Sequence, residues 1–307
     1  MADINYRTAC AEDLERTYEI FVAATNELNV RQHLPLIKYN GKAPSRSLAF
    51  RRHVLAHDAK RYWVAEDRDS GTLIGFSIAT QRESLWYLAA LHVLPGYQNQ
   101  GIGRRLLELC LSPENSPGTK SFIVISDSTN PNSNGLYAKH GIYQYMPLLG
   151  LEGRVPAPLD VKTQLRAVSF TLNGAPRTML AELDRHVLGV ERWTDHTMWL
   201  TQPDLTGYLF SQHERVVGYG YVSTAGGVGP LAVMESTFMQ PALSLCLQHL
   251  QKQGAQEASF KIPSSNHAGV GYLLKLGFRL RTILLCDASQ PFGHLEHYLV
   301  SVGEALF

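Results

Sequence analysis

Between Gln98 and Arg104 the chain reads Gln-Asn-Gln-Gly-Ile-Gly-Arg, where a strand-like run ending in Leu91-His92-Val93-Leu94 turns through Pro95-Gly96 toward an apolar-periodic helix. The first N–H groups of a helix have no acceptor within it, and the aligned peptide dipoles add positive potential at that end. Gly101 and Gly103 carry no Cβ, so a bulky anion can approach those amides closely. A strand, a glycine loop and a helix N-terminus in this order make a cradle for phosphate or pyrophosphate. Arg104 and Arg105 fall in the first helical turn, where positive charge is unfavourable unless an anion lies alongside.

Two phosphate-binding loops do not fit. A P-loop needs Lys-Ser or Lys-Thr after its glycines, and none follows here. A dinucleotide fingerprint needs a third glycine where Leu106 stands. The pattern that remains is Gln/Arg-x-x-Gly-x-Gly/Ala, here Gln98-Asn99-Gln100-Gly101-Ile102-Gly103, preceded by Leu91-x-Val93-x-Pro95. Downstream comes Asn130-x6-Tyr137-x3-Gly141. Together these segments resemble the GNAT superfamily of N-acetyltransferases, well over about residues 4–150 and more loosely beyond.

The resemblance implies an α+β fold on a mixed sheet and acetyl-CoA as co-substrate. It implies that the amides of Gln98, Asn99, Gln100, Gly101, Ile102, Gly103 and Arg104 hold the pyrophosphate. It further implies that the main chain of Leu91, His92 and Val93 pairs with pantetheine as an extra strand would, in a slot opened by splaying strands. Asn130 matches the family residue that hydrogen-bonds the pantetheine arm. Tyr137 matches the one that protonates the departing CoA thiolate, and a phenol with pKa about 10 holds its proton at neutral pH. Asn130-Pro131 is also an ordinary helix entry.

The general base is harder to assign. An amine arrives as an ammonium and must lose a proton before it attacks a thioester. Many family members carry a Glu on the strand before the loop, but Trp86–Leu91 offers no carboxylate. His92 can titrate near neutrality, Glu83 and Glu27 could act through water, and proton loss to solvent stays open.

The elements that must position these groups follow from periodicity and turn residues. Strands are expected at 6–8, 61–66, 73–79, 85–93, 122–126 and 142–149, with hairpins at Asp69-Ser70-Gly71 and across 81–84. Helices are expected at 11–26, 103–111 and 132–140, and 26–46 reads as a loop with a short helix. A similar order recurs, with strands at 165–171, 207–211, 216–223, 228–234, 258–262 and 279–286 and helices at 177–188, 238–251 and 266–276. Asn130…Lys139-His140-Gly141 matches Asn266…Lys275-Leu276-Gly277 in spacing, which supports an internal duplication. Residues 1–152 then form a catalytic, acetyl-CoA-binding domain and 153–307 a second, GNAT-like one, joined by a Gly/Pro-containing linker over 151–158.

In the second half the corresponding loop begins Met234-Glu235-Ser236 and has no glycine, while Leu273 stands opposite Tyr137. That half is expected to keep the fold without the reaction, as a pocket wall or a built-in dimer partner.

Composition sets the class. The chain has 307 residues, 45% hydrophobic and 18% charged, enough for two domains with real cores. With 28 Lys+Arg against 27 Asp+Glu, there is no general electrostatic attraction to nucleic acid or an anionic membrane, a local basic patch staying open, and neither is expected as a partner. The N-terminal residues lack a signal-peptide pattern, no apolar run is long enough to span a bilayer, and the four scattered cysteines with no Cys/His cluster give neither disulfide framework nor metal site. The expectation is a cytoplasmic monomer or homodimer acting on a small-molecule or peptide amine. An acyl-CoA-binding sensor without turnover, and a pure interaction protein, are the competing readings.

Overall fold

The computed structural model describes residues 3–157, 163–301 and 306–307. The chain forms two compact units, one of residues 1–81 and 86–120, the other of residues 82–85 and 121–307.

The first unit begins with β1 (Ile4–Thr8) and α1 (Leu14–Arg31), then α2 (Ser45–His57), β2 (Tyr62–Asp67), β3 (Thr72–Arg82), β4 (Leu85–Val93) and α3 (Ile102–Leu111). The strands lie in the order β1-β2-β3-β4. β1 and β2 are antiparallel from Ile4↔Asp67 to Thr8↔Trp63, and β2 and β3 are antiparallel from Tyr62↔Ile78 to Asp67↔Thr72. The expected hairpin between β2 and β3 is present: Gly71 takes φ 65° and its amide donates to the Asp67 carbonyl at 2.8 Å. Such a φ is cheap for glycine and strained for other residues.

α3 buries Ile102, Leu106, Leu107 and Cys110, one stripe at helical spacing. Ile102 and Leu106 pack with Ala65 of β2 and Ile74 of β3, which anchors the helix whose N-terminus closes the glycine loop. α1 and α2 pack together with buried Tyr18, Ile20, Phe50 and Val54. Among them, the Arg51 guanidinium donates to Thr17 Oγ1 at 3.3 Å, and Thr17 shares a 2.5 Å bond with the Tyr62 phenol. α2 extends well past the loop and short helix expected over 26–46.

The second unit holds β5 (Ser121–Asp127), α4 (Pro131–Lys139), β6 (Tyr143–Arg154), β7 (Arg166–Phe170), α5 (Arg177–Leu188), α6 (Trp193–Leu200) and β8 (Leu205–Gln212). It continues with β9 (Arg215–Ser223), β10 (Gly227–Val233), α7 (Met239–Lys252), β11 (Glu257–Pro263), α8 (His267–Lys275), β12 (Arg279–Ala288) and β13 (Tyr298–Leu299). Its strand order is β5-β12-β6-β11-β10-β9-β8-β7, with β13 on β10. β10 and β11 are parallel and the other recorded pairs antiparallel, so the sheet is mixed.

Two features depart from the sequence reading. β12 enters between β5 and β6, pairing Asp287 with Val124 on one side and Gln144 on the other. β5, α4 and β6, expected with the first half, therefore group with the second. The expected linker over 151–158 is also corrected. Leu151–Arg154 complete β6, paired with β11 from Arg154↔Glu257 onward, and Pro158 lies outside the described residues. Gly153 is there because Phe278 packs on it: a Cβ would lie 2.9 Å from the Phe278 ring.

Candidate functional site

In the first unit the chain leaves β4 through a short turn at Pro95–Tyr97, where the Tyr97 amide donates to the Leu94 carbonyl at 2.9 Å. Asn99 follows at φ 62° and Gly101 at φ 83°, the latter as N-cap of α3. The Arg105 amide is the first to close back into the helix, donating to the Gly101 carbonyl at 3.0 Å. The Ile102, Gly103 and Arg104 amides lie ahead of that bond, where helix geometry supplies no acceptor. Within 4 Å of a Cβ placed on Gly101 lies only Arg104 Nη2, at 3.8 Å. Gly101 and Gly103 thus add no Cβ at a helix start where the Ile102, Gly103 and Arg104 amides precede the first helical bond.

Side chains hold this loop from outside. Gln98 Nε2 donates to the Val93 carbonyl at 3.1 Å and to Glu27 Oε2 at 3.0 Å, and Gln100 Nε2 donates to the Gly96 carbonyl at 3.3 Å. Glu27 also pairs with Arg31 one turn along α1. Arg104 and Arg105 both reach toward Glu108 at 3.7 Å and stay largely exposed. That partner partly offsets their unfavourable position at the helix N-terminus.

Leu91, His92 and Val93 form the end of β4. Close packing brings β3 against them: a Cβ on Gly75 would lie 3.2 Å from the His92 carbonyl and 3.3 Å from Val93 Cγ2. The His92 ring stacks on Phe76 at 5.5 Å and meets Phe21 edge-on at 5.2 Å. Burial, reinforced by the Arg51 charge, pushes its pKa down to about 4. At pH 7 such an imidazole is neutral and charges only about once in a thousand. Contrary to the expectation of a group titrating near neutrality, burial and the Arg51 charge make His92 a weak base.

In the second unit, Asn130 caps α4 through Oδ1, which accepts the Ser133 amide at 3.4 Å. Its Nδ2 is the end it can offer to a ligand carbonyl. Tyr137 lies on α4 and is buried, and desolvation, with the Asp287 charge added, raises its phenol well above the usual range. It therefore holds its proton throughout the neutral range.

Asp287 escaped the sequence reading because β12 arrives from the far end of the chain. Its Oδ2 accepts the Ser126 hydroxyl at 2.6 Å, and its Oδ1 is buried with no hydrogen-bond partner. Burial raises its pKa. An acid ending the apolar run Ile283-Leu284-Leu285-Cys286 was the available signal. Glu83 is paired with Arg185 at 3.3 Å on an exposed part of the second unit.

The two aligned segments share their cap, their left-handed glycine and the hydrogen bond that follows it. α8 repeats α4: Asn266 caps it by accepting the Gly269 amide at 2.9 Å, Gly277 takes φ 91° as Gly141 takes 77°, and the Phe278 amide donates to Leu273 as Ile142 donates to Tyr137, both at 3.1 Å. Leu273 stands where Tyr137 stands, fully buried and with nothing to donate. Among the described residues no three His, Cys, Asp or Glu side chains are grouped to hold a metal ion, and no helix is long and apolar enough to cross a membrane.

Comparison with known proteins agrees with this layout. The acetyltransferase (GNAT) family model matches residues 16–142. A Pyrococcus horikoshii protein assigned as an acetyltransferase superposes over 99% of this chain and 96% of its own, with TM-score 0.73 and 18% identity. A GCN5-related N-acetyltransferase from Sphaerobacter thermophilus covers 94% of this chain and 96% of its own, with TM-score 0.61 and 13% identity. A tandem GNAT protein from the clavulanic acid biosynthesis pathway covers 94% and 99%, with TM-score 0.60 and 13% identity. At these identities the likeness is one of fold.

Proposed function

Residues 16–142 belonging to the GNAT acetyltransferase family, we propose that this chain transfers an acetyl group from acetyl-CoA to a primary amine, with its coenzyme loop at Gln98–Arg104. The observation that carries the reading is the left-handed Gly101 at the head of α3, which puts the amides of Ile102, Gly103 and Arg104 ahead of the first helical hydrogen bond, Arg105 N–H to the Gly101 carbonyl. Paired phosphates resting there would also relieve the positive charge of Arg104 and Arg105. The two sequence halves, 1–152 and 153–307, are read as the products of a duplication, distinct from the two compact units, and the first half is assigned the coenzyme.

The chemistry asks for three things. The amine nitrogen attacks the thioester carbonyl carbon, the C–N bond forms, and the C–S bond breaks with its electron pair going to sulfur. That thiolate needs a proton, and Tyr137 is assigned as its donor. The raised phenol pKa keeps Tyr137 protonated through the neutral range, so its hydroxyl has a proton to donate. The ammonium proton must leave before attack. His92, held near pKa 4, is too weak a base to take it efficiently. We assign His92 a main-chain role beside Leu91 and Val93, its ring a packing role between Phe21 and Phe76, and the proton a path to water. Glu27, fixed on Gln98, is the carboxylate at the loop. Asn130 is assigned to the pantetheine arm through its Nδ2.

The test is a free-thiol assay with acetyl-CoA over panels of small amines, amino acids and peptides, run on wild type and Tyr137→Phe. Release with at least one class, sharply reduced in the variant, is the expected result. No release with any class, despite acetyl-CoA binding, would make the protein a coenzyme sensor.

A further inference from the structure

In the second unit β10 and β11 pair as parallel neighbours only at Gly227↔Ser259 and Val228↔Phe260. Beyond that point another segment lies against both. β13 runs antiparallel to β10, with Leu299 opposite Leu231 and Tyr298 opposite Ala232. Val300 bridges to Lys261 of β11, its amide donating to the Lys261 carbonyl at 3.0 Å. Residues 298–300 therefore enter the gap between two parting strands as a short strand of their own. They are core: Tyr298 and Leu299 are 0% exposed and Val300 2%. Space has been left for them, since a Cβ on Gly229 would lie 2.3 Å from the Val300 carbonyl oxygen.

The position of this insertion matters. β10 is the strand that leads into the second half's loop at Met234, as β4 leads into Gln98–Arg104. Asn266 is the counterpart of Asn130, and its Nδ2 donates to the Tyr298 carbonyl at 3.1 Å. Both interactions that the resemblance implies for a pantetheine arm, strand-like pairing and an Asn amide, are made here to Tyr298–Val300. The segment is also anchored from the side. Arg192 is 2% exposed, pairs with Asp184 at 3.1 Å, and donates to the Tyr298 phenol at 2.9 Å and to the Phe307 carbonyl. The Phe307 ring stacks on Tyr298 at 5.8 Å.

We propose that Tyr298–Val300 are a built-in occupant of the second half's coenzyme slot, a peptide standing where pantetheine would pair. The slot of the second half, residues 153–307, is closed to acyl-CoA by the chain itself, over and above that half's glycine-free loop and Leu273, and the protein takes one coenzyme equivalent. A tethered segment acts at an effective concentration of about millimolar or more, so free coenzyme competes poorly with it. The count of one equivalent and the identity of the gap as a coenzyme slot rest on the coenzyme reading of the first half; the seating of Tyr298–Val300 between β10 and β11 does not.

Hydrogen exchange on the full chain, with and without saturating acetyl-CoA, tests this beside calorimetric stoichiometry. The Leu299 and Val300 amides should exchange as slowly as β10, unchanged by acetyl-CoA, with one equivalent bound. In Gly229→Ala the 298–300 amides should exchange at least about tenfold faster while β8 is unaffected; should that variant misfold, the wild-type comparison decides alone. Two bound equivalents, or tail amides that lose protection when acetyl-CoA is added, would overturn the proposal. An absence of any acetyl-CoA binding would instead defeat the coenzyme assignment of the first half and with it the name of the slot, while fast exchange of the 298–300 amides would overturn their seating between β10 and β11.

Discussion

Tyr137 and Leu273 occupy the same position on two repeated helices, each accepting through its carbonyl the amide of the residue after a left-handed glycine. The same backbone thus presents a proton donor once and a hydrocarbon once. Tyr137→Phe keeps the ring and its burial and removes only the hydroxyl. Kcat should fall about 100-fold with little change in KM for acetyl-CoA, since general acids contribute factors of this order. Steady-state thiol release reads this directly, and a loss under threefold would reduce Tyr137 to a packing residue.

Gly101 separates the loop's conformation from its ligand chemistry. At φ 83° an alanine is strained by about 1 kcal/mol, although no atom other than Arg104 Nη2 at 3.8 Å would meet its Cβ. Gly101→Ala should lower stability by about that much and weaken acetyl-CoA binding severalfold. Gly101→Asp should have similar stability and bind no acetyl-CoA, because its carboxylate would oppose the pyrophosphate. Calorimetric titration beside urea melts tells the two apart; wild-type affinity in the Asp variant would end the loop assignment.

The parts legible in the sequence were those set by local geometry. Gly71, Gly101, Gly141 and Gly277 all take left-handed φ, so their places in motifs and turns could be read directly. Strand partnership could not, because nothing local to Leu280–Ala288 says that it will lie between β5 and β6. Gly153 was misread for a related reason: its lack of a side chain serves Phe278, more than a hundred residues away, and not a turn. α2 was mostly missed because its buried Arg51 breaks the apolar stripe of Leu48, Phe50 and Val54. Tyr298–Val300 gave no strand signal, being too short to show a period.

Arg82 and Asp195 form a near-dry pair in the second unit, Nη2 to Oδ1 at 2.5 Å and Nε to Oδ1 at 2.8 Å, with 10% and 4% of their side chains exposed. Removing one partner strands the other charge in a buried place. Arg82→Met should cost about 3–5 kcal/mol, while Arg82→Met with Asp195→Leu should recover most of it. Urea denaturation midpoints test the pair; a single-variant loss under 1 kcal/mol would mean that Asp195 finds water.

His92 gives the first unit a pH dependence of predictable sign. Its folded pKa, near 4, lies below the unfolded value of about 6.5. Below that unfolded value the unfolded chain binds a proton that the native ring, between Phe21 and Phe76, refuses. Stability contributed by the neutral ring is complete above pH 6.5 and is lost as pH falls toward 4. The loss should reach about 2 kcal/mol once solvent screening is allowed for. His92→Leu keeps the packing and cannot titrate, so its Tm should fall less than that of wild type between pH 7 and pH 4. Because His92 is neutral well below neutrality, thiol release should show no inflection near pH 6.5 in either protein. An inflection there that vanished in His92→Leu would return His92 to the role of general base.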